Sequence, residues 1–288
     1  MRRSLTGVGI TMAILFALVV AGQTVPVTVV DDRGVEIRID ARPERIVAIG
    51  ALYVQVVVAL GATDRLVGVA SSPDNPEAVA GVPDVGPSYA PNVEAVIDLA
   101  PDLVLGATDW GGERETLEAA GLTVLTTPTL TSVTDVLRSI RSVGEAIGEA
   151  HEAALLVGGV AQEILAAEEK VLGRTPVRAA FLYATADAAP YGVGDGTIED
   201  ELILRAGGEN VFHDVQGFPQ VSIESVVARD PKVIFTAPTQ IEAIIGNPLL
   251  RTVAAVKDGR VHGVNASHAT STRVAEVLGA LIAALHGE

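Results

Sequence analysis

Five aromatic side chains and two glutamates are placed along the chain where they could hold a ligand and a partner. Tyr53, Tyr89, Trp110, Tyr191 and Phe218 fall at the ends of predicted strands or just ahead of predicted helices. In open α/β sheets, ligands bind outside the carboxyl ends of the strands. Each ring alone is equally well explained by packing. Together they predict an apolar, aromatic-walled cleft suited to a large planar solute. Glu94 and Glu224 each stand in the first turn of a predicted helix, where the helix dipole favours a carboxylate by about 0.3–1 kcal/mol. The dipole accounts for each glutamate singly, but not for their matched places in a repeat. Two exposed carboxylates, one per lobe, could dock on paired basic residues of a symmetric partner.

Catalytic motifs are missing. The chain has no Walker sequence, no His-Glu-x-x-His and no Gly-x-Ser-x-Gly, so no catalytic residue is assigned. Gly192, Gly194 and Gly196 precede a predicted helix, but their spacing departs from the dinucleotide fingerprint and reads as a loop with a helix cap. Of the histidines His151, His213, His262, His268 and His286, only His262 and His268 fall in one region. No carboxylate motif accompanies them, and no metal site is predicted. The chain holds no cysteine, which excludes disulfides and cysteine-based metal sites and leads to the expectation that the protein is not a lipoprotein.

The elements that must position these residues follow from composition and pattern. The 288 residues suffice for two lobes, and with 49% apolar but 3% aromatic residues the core must be Ala, Val, Leu and Ile. That composition suits buried parallel strands under Ala-rich helices. A net charge of −16 with scattered acids argues against nucleic-acid binding. Arg2 and Arg3, followed by an apolar run over 10–21, predict a signal peptide over 1–22. The run is short for a spanning helix, though it could serve as an uncleaved anchor. The protein is thus expected in the periplasm or otherwise outside the cytoplasm.

Residues 25–39 read as a hairpin turning at Asp32-Arg33-Gly34. A strand over 45–49, a helix over 54–60 and a strand over 66–70 follow, the order of α/β layering. Residues 92–107 and 222–237 then align without a gap. Each begins with an N-cap (Asn92, Ser222), carries the glutamate two positions on, stops at a proline (Pro101, Pro231) and enters an apolar strand. A repeat across the two halves predicts two similar lobes. The helical tract between them holds Gly144 and Gly148, which weaken it. The predicted organisation is an N-terminal lobe over 23–148, a connecting helix over 149–172 and a C-terminal lobe over 173–288. Each lobe carries a mainly parallel sheet flanked by helices.

The chain resembles the periplasmic substrate-binding proteins of cobalamin and iron-complex ABC importers. The resemblance is carried by Pro43-Glu-Arg-Ile-Val47, Val85-Gly86, Asn92-Val-Glu94 through Pro101-Asp-Leu-Val104, and Ala206-Gly-Gly-Glu-Asn-Val-Phe212. It continues in Pro219-Gln-Val-Ser222, Asp230-Pro231 and Ala255-Val-Lys-Asp-Gly-Arg-Val261. It implies two α/β lobes bridged by a long helix (class III of these proteins), with the solute held between them and no catalysis. The positions matching Glu94 and Glu224 contact arginines of a permease dimer, and the protein is expected to be monomeric. The stretch from Gly207 to Asp214 is most similar to the cobalamin-binding branch, in which aromatics near Tyr89, Trp110 and Phe218 border the corrin. The expected cargo is therefore a corrinoid, and no cofactor is expected. A ferric-siderophore or haem protein of the same class is the alternative, with Tyr89, Tyr191 or His213 as axial ligand. An exported α/β enzyme is the more distant one. Where the family often has a Thr-Glu pair, this chain reads Tyr53-Val54-Gln55.

Overall fold

A computed structural model describes residues 26–106, 111–185 and 188–287. The signal-peptide segment 1–22 and Trp110 lie outside the described residues. The chain opens with an antiparallel hairpin of β1 (Val27–Val30) and β2 (Glu36–Ile39). The first half then runs β3 (Ile46–Ala48), α1 (Ala51–Ala59), β4 (Leu66–Ser71), β5 (Asp84–Pro87), α2 (Val93–Asp98), β6 (Leu103–Leu105), α3 (Glu113–Ala119), β7 (Val124–Leu125) and α4 (Val133–Ala146). The helix expected over 54–60 starts three residues sooner, directly after Gly50.

The strands form one parallel sheet in the order β5-β4-β3-β6-β7. Every residue of β3 and β6 is buried, as expected of strands covered on both faces. The strand order reverses between β3 and β6, the kind of switch point at whose carboxyl ends ligands bind in open α/β sheets.

Next comes α5 (Ala150–Glu169), the helix expected over 149–172. The second half follows with β8 (Val177–Thr185), β9 (Ala188–Gly192), α6 (Ile198–Arg205), β10 (Gly208–Asn210), α7 (Ile223–Arg229), β11 (Val233–Thr236), α8 (Ile241–Ile245), α9 (Ala254–Lys257), β12 (Val261–Gly263), α10 (Ala266–Ala269) and α11 (Val274–His286). Its parallel strands are ordered β10-β8-β11-β12, and β9 folds back antiparallel on β8. Here the order reverses between β8 and β11.

The repeat seen in the sequence is a repeat of structure. Asn92 Oδ1 accepts from the Ala95 N–H at 3.0 Å, and Ser222 Oγ accepts from the Ser225 N–H at 3.1 Å. Both helices end on a left-handed residue just before the proline, Ala100 at φ 44° and Asp230 at φ 41°. These are the only non-glycine residues with positive φ among the described residues. Proline disfavours the right-handed helical region for the residue before it. Two otherwise costly conformations at equivalent positions are hard to reach by convergence on a common idiom.

The glycines of the connecting tract have a different role from simple weakening. A Cβ on Gly144 would stand 2.2 Å from the Ala153 Cβ, so Gly144 lets α4 and α5 pack closely there. Gly148, at φ +79°, makes the turn between them.

Candidate functional site

Glu94 and Glu224 occupy the first turns of α2 and α7, and both are exposed. Neither takes part in an ion pair or side-chain hydrogen bond among the described residues. Many other carboxylates are committed: Asp32 to Arg114, Glu118 to Arg33, Glu149 to Arg42 and Arg65, Glu168 to Arg205.

The predicted aromatic residues separate into two groups. Tyr89 is 74% exposed in the loop between β5 and α2; Tyr191 on β9 and Phe218 before α7 are 46% and 51% exposed. Tyr53 does not join them, which corrects the expectation. It is buried on α1, beside Gly50 and Gly106, where a Cβ on Gly106 would meet its ring edge at 2.3 Å. Its hydroxyl accepts from the Thr127 N–H at 2.9 Å and lies 3.1 Å from Thr127 Oγ1. Ring and hydroxyl are both spent inside the first lobe, joining α1 to the segment after β7.

In the second lobe the structure adds Tyr183, which sequence reasoning took as a strand residue only. It pairs directly with Tyr191 across β8 and β9, which puts the two on one face. Its ring centroid lies 6.0 Å from Phe218 and 5.1 Å from Phe181. Phe181 is buried beneath, so the cluster grades from core to surface through Phe181, Tyr183, and Phe218 with Tyr191. The signal was the strand's period of two, which places residues 181 and 183 on one face. The Tyr183 hydroxyl donates to Glu199 Oε1 at 2.8 Å. Burial, reinforced by that carboxylate, pushes the Tyr183 phenol well above the ordinary tyrosine value. Burial also raises the Glu199 carboxyl, against the opposing Tyr183 bond. In the absence of a ligand Tyr183 therefore stays protonated.

Asp195, Asp200 and His213 bring one ligand atom each within 4.8 Å of one another. Their oxygens are already engaged. Asp200 accepts from Asn210 at 2.6 Å and lies 2.9 Å from His213 Nδ1. Asp195 accepts from the Gly196 N–H and from Gln216. The group is a hydrogen-bonded scaffold for the turn ahead of α6. The Asp200 contact, above all, raises the His213 pKa. His262 faces Phe235 at 6.3 Å between centroids, and burial, helped by Arg260, lowers its pKa. His268 Nε2 lies 2.9 Å from Arg273.

The halves meet at a polar seam beyond β4 and β12. Asp74 accepts from Asn265 Nδ2 at 2.6 Å and Ser267 Oγ at 2.5 Å, and His268 Nε2 lies 3.4 Å away. Burial pushes the Asp74 carboxyl up, but the bonds from Ser267 and Asn265 and the nearby His268 outweigh it and hold it below the ordinary aspartate value. Its contribution is then present above the unfolded pKa and is lost as pH falls through the folded one. Asp74→Ala is expected to destabilise the protein by about 2 kcal/mol at neutral pH, from the loss of two hydrogen bonds to a charged group. Thermal melts of the two proteins should converge as the medium is acidified below the aspartate range. A gap that persists there would exclude the carboxylate as its source.

Two parallel sheets joined by one helix, each with a strand order that reverses within it, are the architecture of a solute-binding protein. The family described as periplasmic binding protein matches residues 46–266, and the chain belongs to it. An uncharacterized ABC transporter substrate-binding lipoprotein of Bacillus subtilis is 30% identical over 247 residues, 83% of this chain and 78% of that protein. A cobalamin-binding protein of Halobacterium salinarum is 29% identical over 280 residues, 91% of this chain and 74% of that one. Among solved structures, an ABC-type Fe3+-hydroxamate transport system protein of Saccharomonospora viridis superposes with a TM-score of 0.77 at 28% identity. That match covers 91% of this chain and 99% of the other. The periplasmic heme-binding protein RhuT of Roseiflexus gives 0.76 at 25%, covering 85% and 98%.

The expected location outside the cytoplasm fits this family, but the expectation that the protein is not a lipoprotein is corrected. The Bacillus subtilis relative is named a lipoprotein. The cysteine count says only that these 288 residues hold no thiol to lipidate; it does not decide how the protein is tethered.

Proposed function

We propose that this protein captures a corrinoid between its lobes and hands it to the permease dimer of an ABC importer. The observation that carries the reading is the repeat-related pair Glu94 and Glu224, both exposed and without an ion pair or side-chain hydrogen bond among the described residues. A partner built of two like subunits matches a docking surface that occurs twice. The corrinoid is supported by the exposed Tyr89, Tyr191 and Phe218 with Tyr183 behind them, and by the Halobacterium relative's name over 91% of this chain. A large planar solute suits aromatic walls. The solute is cargo rather than cofactor, and the protein works as a monomer.

Titration calorimetry of the purified protein with cobalamin and cobinamide is the direct test. Saturable heat with either is expected; none with both would overturn the corrinoid. The second reading, haem, is favoured by one arrangement. Asp200 engages His213 Nδ1, which leaves Nε2 as the nitrogen for a metal, the usual carboxylate–histidine–metal pattern. Haemin titration of a Tyr89→Phe, Tyr191→Phe, His213→Gln variant separates the two. An unchanged spectrum would remove direct ligation by these groups.

A further inference from the structure

The repeat gives α2 and α7 the same caps and the same glutamate, but the chain beside them differs. After β6 comes α3. After β11 the chain folds into α8 and a 3-10 turn over Pro248–Thr252, and that turn packs on α7. Between this segment, the first turn of α7 and the turn end of the β8–β9 hairpin lies a cavity of about 670 Å³. Pro190, Ile223 and Leu250 contribute apolar lining, Leu249 stands at it 60% exposed, and Glu224 and Glu242 bring two carboxylates. Its lining includes no lysine, arginine or histidine among the described residues. Like Glu224, Glu242 is exposed and has no ion pair or side-chain hydrogen bond among the described residues.

Two uncompensated carboxylates over an apolar floor define the chemistry of an occupant. The carboxylates ask for a cation, and a planar guanidinium can bridge two acceptors where an ammonium acts as a point charge. The floor asks for a branched aliphatic side chain next to that cation. Leu249, an exposed leucine at such an edge, is poorly explained by solubility and well explained by burial against a partner.

We infer that this cavity receives a segment of one permease subunit bearing an arginine beside an aliphatic side chain, with Glu224 and Glu242 holding the arginine and Leu249 covering the aliphatic group. The inference rests on the reading that Glu224 docks an importer. It adds that the two lobes dock unequally: the second lobe seats a side chain in a cavity beside its glutamate, formed with α8 and the 3-10 turn, where the first lobe has α3 beside α2.

The test uses the full-length protein and the corrinoid-importer permease–ATPase complex with which it gives cobalamin uptake in proteoliposomes. That complex is placed in nanodiscs for binding measurements. Glu242→Lys and Leu249→Asp are each expected to weaken docking about tenfold or more, as loss of a desolvated charge or apolar anchor does, with cobalamin affinity unchanged. Asp258→Lys, an exposed reversal elsewhere on the same lobe, should have little effect. Because the chain has no cysteine, Leu249→Cys can carry a single benzophenone maleimide, and it should crosslink to the permease subunit. Loss of docking in Glu224→Arg with none in Glu242→Lys or Leu249→Asp would overturn the inference and leave the docking reading standing. No loss in any of the three would overturn both. Equal loss of cobalamin affinity would assign the cavity to the solute and overturn the inference.

Discussion

Charge reversal at both docking glutamates, Glu94→Arg with Glu224→Arg, is expected to abolish solute uptake while solute affinity stays within about twofold of normal. Truncating one partner of a desolvated ion pair costs about 2–5 kcal/mol, and reversal adds like-charge repulsion. Two such sites together should weaken docking by more than about a thousandfold, since each 1.4 kcal/mol is a factor of ten. The folded protein should lose little. Neither glutamate has an ion pair or side-chain hydrogen bond among the described residues, and both are exposed in the first turns of short helices. What each gives its own helix is the dipole interaction, about 0.3–1 kcal/mol, so a modest fall in melting temperature is expected. Each single reversal should leave a residual uptake rate, because the other lobe still engages. Uptake in proteoliposomes and calorimetry on the same preparations check both halves of the claim. If solute affinity falls in step with uptake, the residues belong to the solute site and not to docking.

The matched placement of Glu94 and Glu224 was legible in the sequence because a constant offset, an N-cap and a proline mark it twice over. The left-handed residues before those prolines were not. Asp230 is a residue type that tolerates the left-handed region, but Ala100, at φ 44°, carries no such mark. The parallel sheets followed from strand–helix alternation and from apolar runs too continuous to face water. Tyr53 was misplaced for a definite reason. Position after a strand suggests the crevice, but direction depends on what the ring can lie against. Gly50 and Gly106 leave the space for it to turn inward onto Thr127. Tyr183 was passed over because it reads as ordinary strand filling until β9 sets Tyr191 opposite it. The seam at Asp74 could not be read at all. Its partners Asn265 and Ser267 lie more than 190 positions away, and polar loop residues have no periodicity to announce a contact.

Arg65→Leu is expected to be the most destabilising single change at the junction of the lobes, at about 3–5 kcal/mol. Arg65 is buried, and its guanidinium donates to the Pro43 and Ile147 carbonyls at 2.9 and 2.8 Å and to Glu149 Oε1 at 2.8 Å. Ile147 caps the end of α4, and Glu149 precedes α5. One side chain therefore fixes the corner at which the connecting helix leaves the first lobe. Leucine would fill part of the volume but leave both carbonyls without their donor, and Glu149 with Arg42 alone. For a chain of this size each kcal/mol corresponds to roughly 2–4 °C, so a melting temperature lower by roughly 10 °C is expected. The far end of α5 is tied more loosely. Arg205 bonds both Glu168 on α5 and Glu201 on α6, and Glu201 in turn accepts from the Val133 N–H at the start of α4 at 2.8 Å. That group is half-buried, and water can replace part of what Arg205→Leu removes, so the smaller loss is expected there. If the connecting helix sets the relative position of the lobes, Arg65→Leu should also weaken solute binding more than Arg205→Leu does. Calorimetry well below the melting range of each variant separates that effect from unfolding. Equal affinities in the two variants would mean that the crevice is positioned by contacts such as the Asp74 seam, and not by the helix that joins the lobes.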